Sequence, residues 1–357
     1  MSSSSKKPSD SKSLLSAQSI IIAGIVWAFL ALVFFLSFSS SPPGWYLVCT
    51  YIFEMASFLA AAILCLRNWR SNKIVSGRTV WLYLGLGTLF YLMGTLGFGV
   101  WELVFNVDPL VSPGDLFYIA SYICLGCGMG LAVTSRRLNL ELWQWGVFAA
   151  IAAIGIALAV WINNIQAAPA ADAAILQSPS APVAFVASSG PSIQAPPSSL
   201  LLASTPTTAL PDAIAQASPS PSPAESPSPA AEETGSPPAP APGWVLGLEK
   251  LLEPLEGIVN ILYVVFDIGL LIVATALLLA FWGGRAAQSW RMIAAAAVCL
   301  YIADIYTVYA DAAIENYQSG ALLEVFYIFS GVLFGIGAAL EYATSSSRSR
   351  RGSRRRS

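Results

Sequence analysis

Acidic residues inside strongly apolar segments are the feature of this sequence with the clearest chemical potential. Glu54, Asp267 and Asp304 each lie within such a segment, with no lysine or arginine close to them in sequence. A carboxylate without a partner is costly in hydrocarbon, so each group must take up a proton, accept hydrogen bonds, face water or bind a cation. These three residues therefore predict a polar cluster at membrane depth.

Four further acids lie at the ends of apolar segments, and tyrosines accompany both groups. The sequence supports two interpretations. The carboxyl groups are either hydrogen-bonded to tyrosines between packed helices, or they line a polar cavity, open to the outside, that binds a cation, a proton or a small polar ligand. Under the second interpretation the candidate ligand-binding residues are Glu54, Asp267, Asp304, Glu102, Asp311, Asp115, Glu324, Tyr118 and Tyr327.

Other reactive groups are scarce. The chain contains no histidine, which removes most general-base schemes and most zinc or haem sites. Cys124 and Cys127 have the spacing of a redox motif, but they lie one turn apart inside an apolar segment, and we interpret them as packing residues. Two aspartates on neighbouring spans are also found in intramembrane aspartyl proteases, whose Gly-x-Gly-Asp signature is missing here. We expect no enzymatic activity, no cofactor and no metal.

The elements that must position these residues are membrane spans. Hydrophobic residues make up 56% of the chain and charged residues only 11%, where a soluble protein has about a quarter charged. A run of about 20 apolar residues crosses the hydrocarbon core of a bilayer. Eight such runs are predicted, at 17–38, 46–66, 79–103, 116–133, 142–162, 258–282, 290–313 and 321–342. The first follows a basic leader at 1–16 and is too long for the core of a signal peptide, so we expect it to be retained.

Lysine and arginine predict the orientation of these spans. If both termini are cytoplasmic, every basic residue except Lys250 lies on the cytoplasmic side, as the positive-inside rule requires. The acids then lie in the outer half of the membrane. Tryptophans at the ends of spans, among them Trp81, Trp101 and Trp290, are interpreted as belts at the membrane surface. The sequence thus predicts a multi-pass protein of a bacterial inner membrane.

An internal repeat organises the spans. Residues 81–131 align without a gap on residues 290–340, and Phe117-Tyr118-Ile119 matches Phe326-Tyr327-Ile328. Each half has an even number of spans, so the repeats are predicted to be parallel. The fold class is therefore an all-α membrane protein of eight transmembrane helices in two parallel four-helix repeats, 17–134 and 135–165 with 244–342. Thr95 stands where Asp304 stands in the second repeat, which makes Asp304 the best single candidate.

Three segments lie outside the predicted spans. Residues 166–243 are rich in proline, alanine and serine and predict a long disordered outer loop, either a spacer, a glycosylated stalk or a wall-binding tether. Residues 244–256 predict a short amphipathic helix on the outer leaflet. The cytoplasmic tail at 343–357 is too short to fold and predicts an anionic-lipid anchor rather than a nucleic-acid site. Its lipid-binding candidates are Arg350, Arg351, Arg354, Arg355 and Arg356.

One short motif carries a resemblance. Ser112-Pro113-Gly114-Asp115-Leu116-Phe117-Tyr118, opening a span after an outer loop, resembles a motif of polytopic membrane sensor regions that precede bacterial diguanylate cyclase and phosphodiesterase domains. The stretch from Trp290 to Tyr306 and the residues Gly320, Glu324 and Tyr327 are similar to their second half. The resemblance implies signal perception at the outer face. No output domain follows the last span, so a separate membrane or cytoplasmic signalling partner is expected.

Three functions remain open from the sequence. The first is a non-catalytic sensory or scaffolding protein with an acidic ligand pocket. The second is a proton- or cation-coupled transporter that uses the same acids. The third is a purely structural membrane subunit in which tyrosines satisfy the acids.

Overall fold

Helices make up the described structure. A computed structural model describes residues 9–74, 76–105, 107, 111–135, 142–177, 241–281, 287–314, 317 and 319–354. No strand occurs within these ranges. The helices are α1 (Ser9–Phe38), α2 (Tyr46–Arg70), α3 (Arg78–Val104), α4 (Pro113–Thr134), α5 (Leu142–Gln177), α6 (Gly243–Leu252), α7 (Glu256–Ala280), α8 (Ala287–Ala313) and α9 (Val325–Arg354).

Seven helices of the described structure are long and apolar enough to cross a membrane. They correspond to seven of the eight predicted spans, with α6, a 3-10 turn at Glu253–Leu255 and α7 forming one continuous apolar segment. In α5 the apolar stretch is shorter, at Trp143–Leu158, so the fifth predicted span stays a prediction. The protein is an all-helical, multi-pass membrane protein.

The helices extend into two segments that were predicted to lack structure. Helix α5 continues to Gln177, so the prediction of a disordered loop is wrong for residues 166–177. Alanine dominates this part of the loop, and alanine is the strongest helix former. Helix α9 continues to Arg354, so the tail is helical as far as that residue, because an established helix propagates more easily than a new one starts. Arg350, Arg351 and Arg354 lie on this extension. Residues 1–8, 178–240 and 355–357 lie outside the described residues.

Helices from the first half of the sequence pack against helices from the second half. Helix α2 packs against α3 and α9, and α4 packs against α3 and α7. Helices α7, α8 and α9 pack in sequence order, and α1 lies against α9. The main hydrophobic core combines residues of α2, α3, α4, α7, α8 and α9.

Three tryptophans predicted at the membrane surface are buried instead. Trp81 and Trp290 have no exposed surface, and their ring centroids are 5.6 Å apart in the core. Trp101 is also buried and packs edge-on against Trp244. An indole ring gains more from burying its large apolar area between helices than from a lipid boundary when a neighbouring helix offers space. The belt interpretation is wrong for these three residues.

Small residues bring some helices close together. A Cβ atom at Gly97 would lie 3.2 Å from Gly114 Cα, and one at Gly331 would lie 3.0 Å from Phe58 N. These glycines permit close contact between α3 and α4 and between α9 and α2. Gly126 and Gly130 have the spacing of such a pair, but a Cβ at either would meet no atom within 4 Å, so they do not bring α4 close to another helix of the described structure.

Candidate ligand-binding cavity

A cavity of about 670 Å³ lies at one end of the bundle. It lies near the N-terminal ends of α2, α4, α7 and α9 and the C-terminal end of α8. Its volume falls in the range of small-molecule sites, roughly 300–1,000 Å³. Carboxylates and tyrosines dominate the wall: Tyr51, Glu54, Tyr91, Asp115, Tyr118, Tyr122, Glu256, Tyr263, Asp267, Asp304, Asp311, Tyr317, Glu324 and Tyr327.

The structure brings the predicted site residues together, with one exception. All of them line the cavity except Glu102, which accepts a hydrogen bond from the lining residue Tyr51. Helical geometry explains the gathering on α8, because Asp304, Thr307 and Asp311 recur at the spacing of one helix face. The described lining residues include no lysine or arginine.

The first polar cluster is built on Glu54 of α2. Thr95 of α3 donates a hydrogen bond to Glu54 Oε1 at 2.8 Å. Tyr118 of α4 in turn donates to Thr95 Oγ1 at 3.2 Å. The predicted alternative of acids satisfied by neutral donors therefore describes this cluster in part, because the second carboxylate oxygen of Glu54 has no such donor among the described side chains.

The second polar cluster contains Asp267 of α7 and Asp304 of α8. The hydroxyl oxygen of Tyr122 on α4 lies 2.8 Å from Asp267 Oδ1. The same hydroxyl group also contacts Asp304 Oδ2. Tyr327 of α9 donates to Asp304 Oδ1 at 3.0 Å. Four helices thus meet at this pair of aspartates.

In the second cluster the hydroxyl group of Tyr122 makes more contacts with carboxylates than it has hydrogens to donate. The Tyr122 hydroxyl has one hydrogen to donate, yet it lies against two carboxyl groups. The hydroxyl therefore donates to one aspartate, and its contact with the other is a hydrogen bond only if that carboxyl group carries a proton. Because one hydroxyl bridges them, the two carboxyl groups lie side by side, which is the arrangement in which a pair of acids can share one proton.

Two acids at the rim of the cavity also cap helices. Asp115 accepts a hydrogen bond from the backbone N–H of Ser112 at 2.7 Å and another from Tyr263 at 2.5 Å. Glu324 accepts from the backbone N–H groups of Gly320 at 2.8 Å and Ala321 at 3.0 Å. Such carboxylates satisfy the first N–H groups of a helix, so these two positions have a structural role besides any role in binding.

A tyrosine outside the spans completes the rim. Tyr317 donates a hydrogen bond to Glu324. Burial, followed by the negative charge of Glu324, raises the pKa of Tyr317 above its ordinary value, so the hydroxyl remains a donor at neutral pH.

Sequence reasoning did not single out three acidic or polar residues that the structure makes prominent. Glu256 and Asn260 line the cavity together with Tyr263 and Asp267. Their spacing along α7 is that of one helix face, and this periodicity would have identified them. Glu341 is buried at the opposite end of the bundle.

The carboxylate of Glu341 tethers the α2–α3 loop to α9. It accepts hydrogen bonds from Ser76 at 2.8 Å and from Ser345 at 3.0 Å. No pattern in the sequence distinguished this acid from a solvated one, because its loop partner is distant along the chain.

No protein-family model matches the chain, and neither the curated proteins nor the solved structures give a significant match.

Proposed function

We propose that this protein is a sensory, non-catalytic protein of a bacterial inner membrane that binds a small polar ligand or cation in the acidic cavity. The observation that carries the proposal is the cavity itself, which gathers carboxylates from α2, α4, α7 and α8 and from Glu324, the residue before α9. A purely structural subunit would gain stability by filling such a space, because each buried void lowers the stability of the fold. The resemblance of the segment 112–118 to membrane sensor regions supports the sensory assignment.

A duplicated architecture, with the cavity between its halves, is part of this proposal. Helix α2 packs on α9 as α7 packs on α4, which is the pattern of two units related by a two-fold axis. A Cβ atom at Gly128 would meet Leu84, and one at Gly337 would meet Ile293, so aligned glycines face aligned partners.

The polar clusters follow the same relation. Thr95 donates to Glu54, and its aligned residue Asp304 shares the hydroxyl group of Tyr122 with Asp267. The second repeat has thus exchanged a hydroxyl group for a second carboxyl group at the same place in the fold. A ligand between the halves would meet one acid on one side and a pair of acids on the other.

The distribution of charge supports an outward-facing cavity. The cations Arg67, Arg70, Lys73, Arg78 and Arg291 lie near the ends of α2, α3 and α8 that are remote from the cavity. Under the positive-inside rule that end is cytoplasmic, so the acidic end faces the periplasm. A ligand would then reach the cavity without crossing the membrane. The basic end would meet anionic lipid and a signalling partner.

Asp267 and Asp304 bear on two alternative functions, proton-coupled transport and peptide hydrolysis. Two carboxyl groups bridged by one hydroxyl group inside the bundle, where they could exchange a proton, are the observation that favours proton-coupled transport as a second candidate. Peptide hydrolysis is less well supported, because the Tyr122 hydroxyl lies against both aspartates, where an aspartyl protease holds its attacking water.

Ligand screening against purified protein in lipid nanodiscs tests the proposal. Thermal-shift screening of a library of small polar compounds should find compounds that raise the melting temperature of the wild-type protein. Glu54→Gln and Asp304→Asn should abolish that shift. Glu253→Gln is the matched control, because Glu253 is an exposed acid near the same end of the bundle and does not line the cavity.

The outcomes separate the candidates. A ligand effect that survives both cavity substitutions would refute the assigned site. Uptake of the bound compound into proteoliposomes, lost in Asp304→Asn, would replace sensing by transport. Absence of any binding, with substitutions changing stability alone, would support the structural subunit.

A further inference from the structure

Tyr91 of α3 is a buried polar side chain with an unused hydroxyl group. It is 3% exposed and lines the cavity. Among the described residues, every other tyrosine that lines the cavity has a hydrogen-bond partner for its hydroxyl group, whereas that of Tyr91 has none. The Tyr91 oxygen is not among the polar atoms that are sealed from solvent without a partner, so it faces the open space of the cavity. The cavity therefore contains a polar group that a bound molecule would satisfy.

The Tyr91 ring is held firmly by its neighbours. Phe58 stacks on it with ring centroids 3.9 Å apart. Tyr118 meets it edge-on at 5.0 Å, and Tyr327 lies at 6.1 Å. Because the ring cannot turn away without disturbing these contacts, its hydroxyl group has a fixed position in the wall.

Two acids from opposite halves of the bundle, Glu54 and Asp304, line the same cavity as Tyr91. Glu54 accepts a hydrogen bond from Thr95, which lies one turn further along α3 than Tyr91. Asp304 accepts one from Tyr327, whose ring centroid is 6.1 Å from that of Tyr91. With no lysine or arginine among the described lining residues, these charges give the inner cavity a negative potential, which attracts a cation.

The wall fits an organic cation better than a metal ion. Among the described residues, no three side chains of the metal-binding types are close enough together to hold one. Instead the acids alternate with tyrosine rings, whose faces attract cations. The volume of about 670 Å³ is also much larger than a bare ion requires.

We propose that the inner cavity binds a protonated primary or secondary amine, with its ammonium group between Glu54, Asp304 and the Tyr91 hydroxyl. An ammonium group has N–H donors, and the tyrosine oxygen and the carboxylates can accept hydrogen bonds from them. A quaternary ammonium has no N–H group and cannot make these bonds. The tyrosine rings surround the carbon skeleton of the amine. This assignment rests on the proposed function, since it names the ligand class of the same cavity.

Calorimetric titration of the full-length protein in nanodiscs tests the ligand class. The compounds are a panel of primary amines from short alkylamines to arylalkylamines, the alcohol and the trimethylammonium analogue of each, and sodium and calcium chloride alone. At least one amine should bind at least tenfold more tightly than its alcohol and its trimethylammonium analogue. The proposal is overturned if no amine outperforms its alcohol.

Tyr91→Phe tests the role of the hydroxyl group. Loss of one hydrogen bond to a charged group should weaken amine binding about tenfold. Binding of any trimethylammonium analogue should change much less. Tyr83→Phe, on the same helix but outside the cavity, is the matched control and should leave binding unchanged.

The melting temperature of the unliganded variant separates binding from folding. Tyr91→Phe should melt no lower than wild type, because the hydroxyl it removes has no partner in the described structure. A lower melting temperature with unchanged amine affinity would overturn the proposal and give the hydroxyl a structural role.

The amine class and the proposed function can fail separately. Binding of a neutral compound or an inorganic cation that depends on Glu54 would leave the proposed function standing and overturn the amine. Failure of every compound to bind in a manner dependent on Glu54 or Asp304 would overturn both.

Discussion

Replacing Tyr122 by phenylalanine is the most informative perturbation of the second polar cluster. The substitution keeps the ring, which stacks on Phe266 with centroids 6.1 Å apart, and removes only the hydroxyl group between Asp267 and Asp304. Side-chain hydrogen bonds between membrane helices contribute about 0.6 kcal/mol on average and up to about 1.7 kcal/mol. Two such contacts are lost, so Tyr122→Phe should lower the free energy of unfolding by about 1–3 kcal/mol.

Reversible unfolding of purified protein in mixed micelles measures this change. Tyr83→Phe should be within about 0.5 kcal/mol of wild type, because it lies outside the polar clusters. A Tyr122→Phe protein as stable as wild type would show that the bridging hydroxyl contributes nothing.

A double-mutant cycle tests the shared proton. If the aspartate pair holds one proton, Asp304→Asn should be nearly neutral, since its amide N–H group can donate the hydrogen bond that a protonated carboxyl group would donate. In that background Tyr122→Phe should be less damaging, because the amide can donate to Asp267 in place of the tyrosine. Coupling of about 0.5 kcal/mol or more is expected, and strictly additive effects would refute the shared proton.

Two further predictions concern packing and topology. Gly331→Ala should destabilise the fold by about 1–3 kcal/mol, because its Cβ would approach Ser57 Cβ to 2.9 Å and Phe58 N to 3.0 Å. Gly335→Ala is the control, because the nearest neighbour of its Cβ would be 3.5 Å away. Equal stability of the two variants would contradict the close contact between α9 and α2. In a cysteine-free background, an impermeant maleimide added to intact cells should label Glu253→Cys and not Arg70→Cys, both of which are exposed; the reverse pattern would invert the proposed orientation.

Helix locations were predictable because they depend on local composition. Long apolar runs with few charges must form helices if they are to satisfy their backbone groups in lipid. Seven of these runs are confirmed as long apolar helices. The limits of α5 and α9 were not predictable in the same way, because composition marks where a helix leaves the apolar layer and not where it ends.

The membership of the acidic cavity was also largely predictable. A carboxylate in an apolar span is stable only where it is protonated, hydrogen-bonded, hydrated or paired with a cation. Glu54, Asp267 and Asp304 therefore predict a polar cluster between the packed helices. The sequence could not assign their partners, since Tyr122 reaches Asp267 from a helix that is 145 positions away along the chain. It also gave no means of separating Asp115 and Glu324, which cap helices, from acids that serve only the cavity.

The sequence by itself determined that this chain crosses a membrane and gathers its acids toward one end of its helices, because the cost of charge in hydrocarbon acts on each residue independently of its neighbours. Only the tertiary structure decided which tryptophans are core residues, which tyrosine bridges two aspartates and which tyrosine hydroxyl is left without a partner. Those outcomes depend on distances between helices that are remote in sequence, and apolar patterning specifies a face of a helix without specifying the residue that it meets.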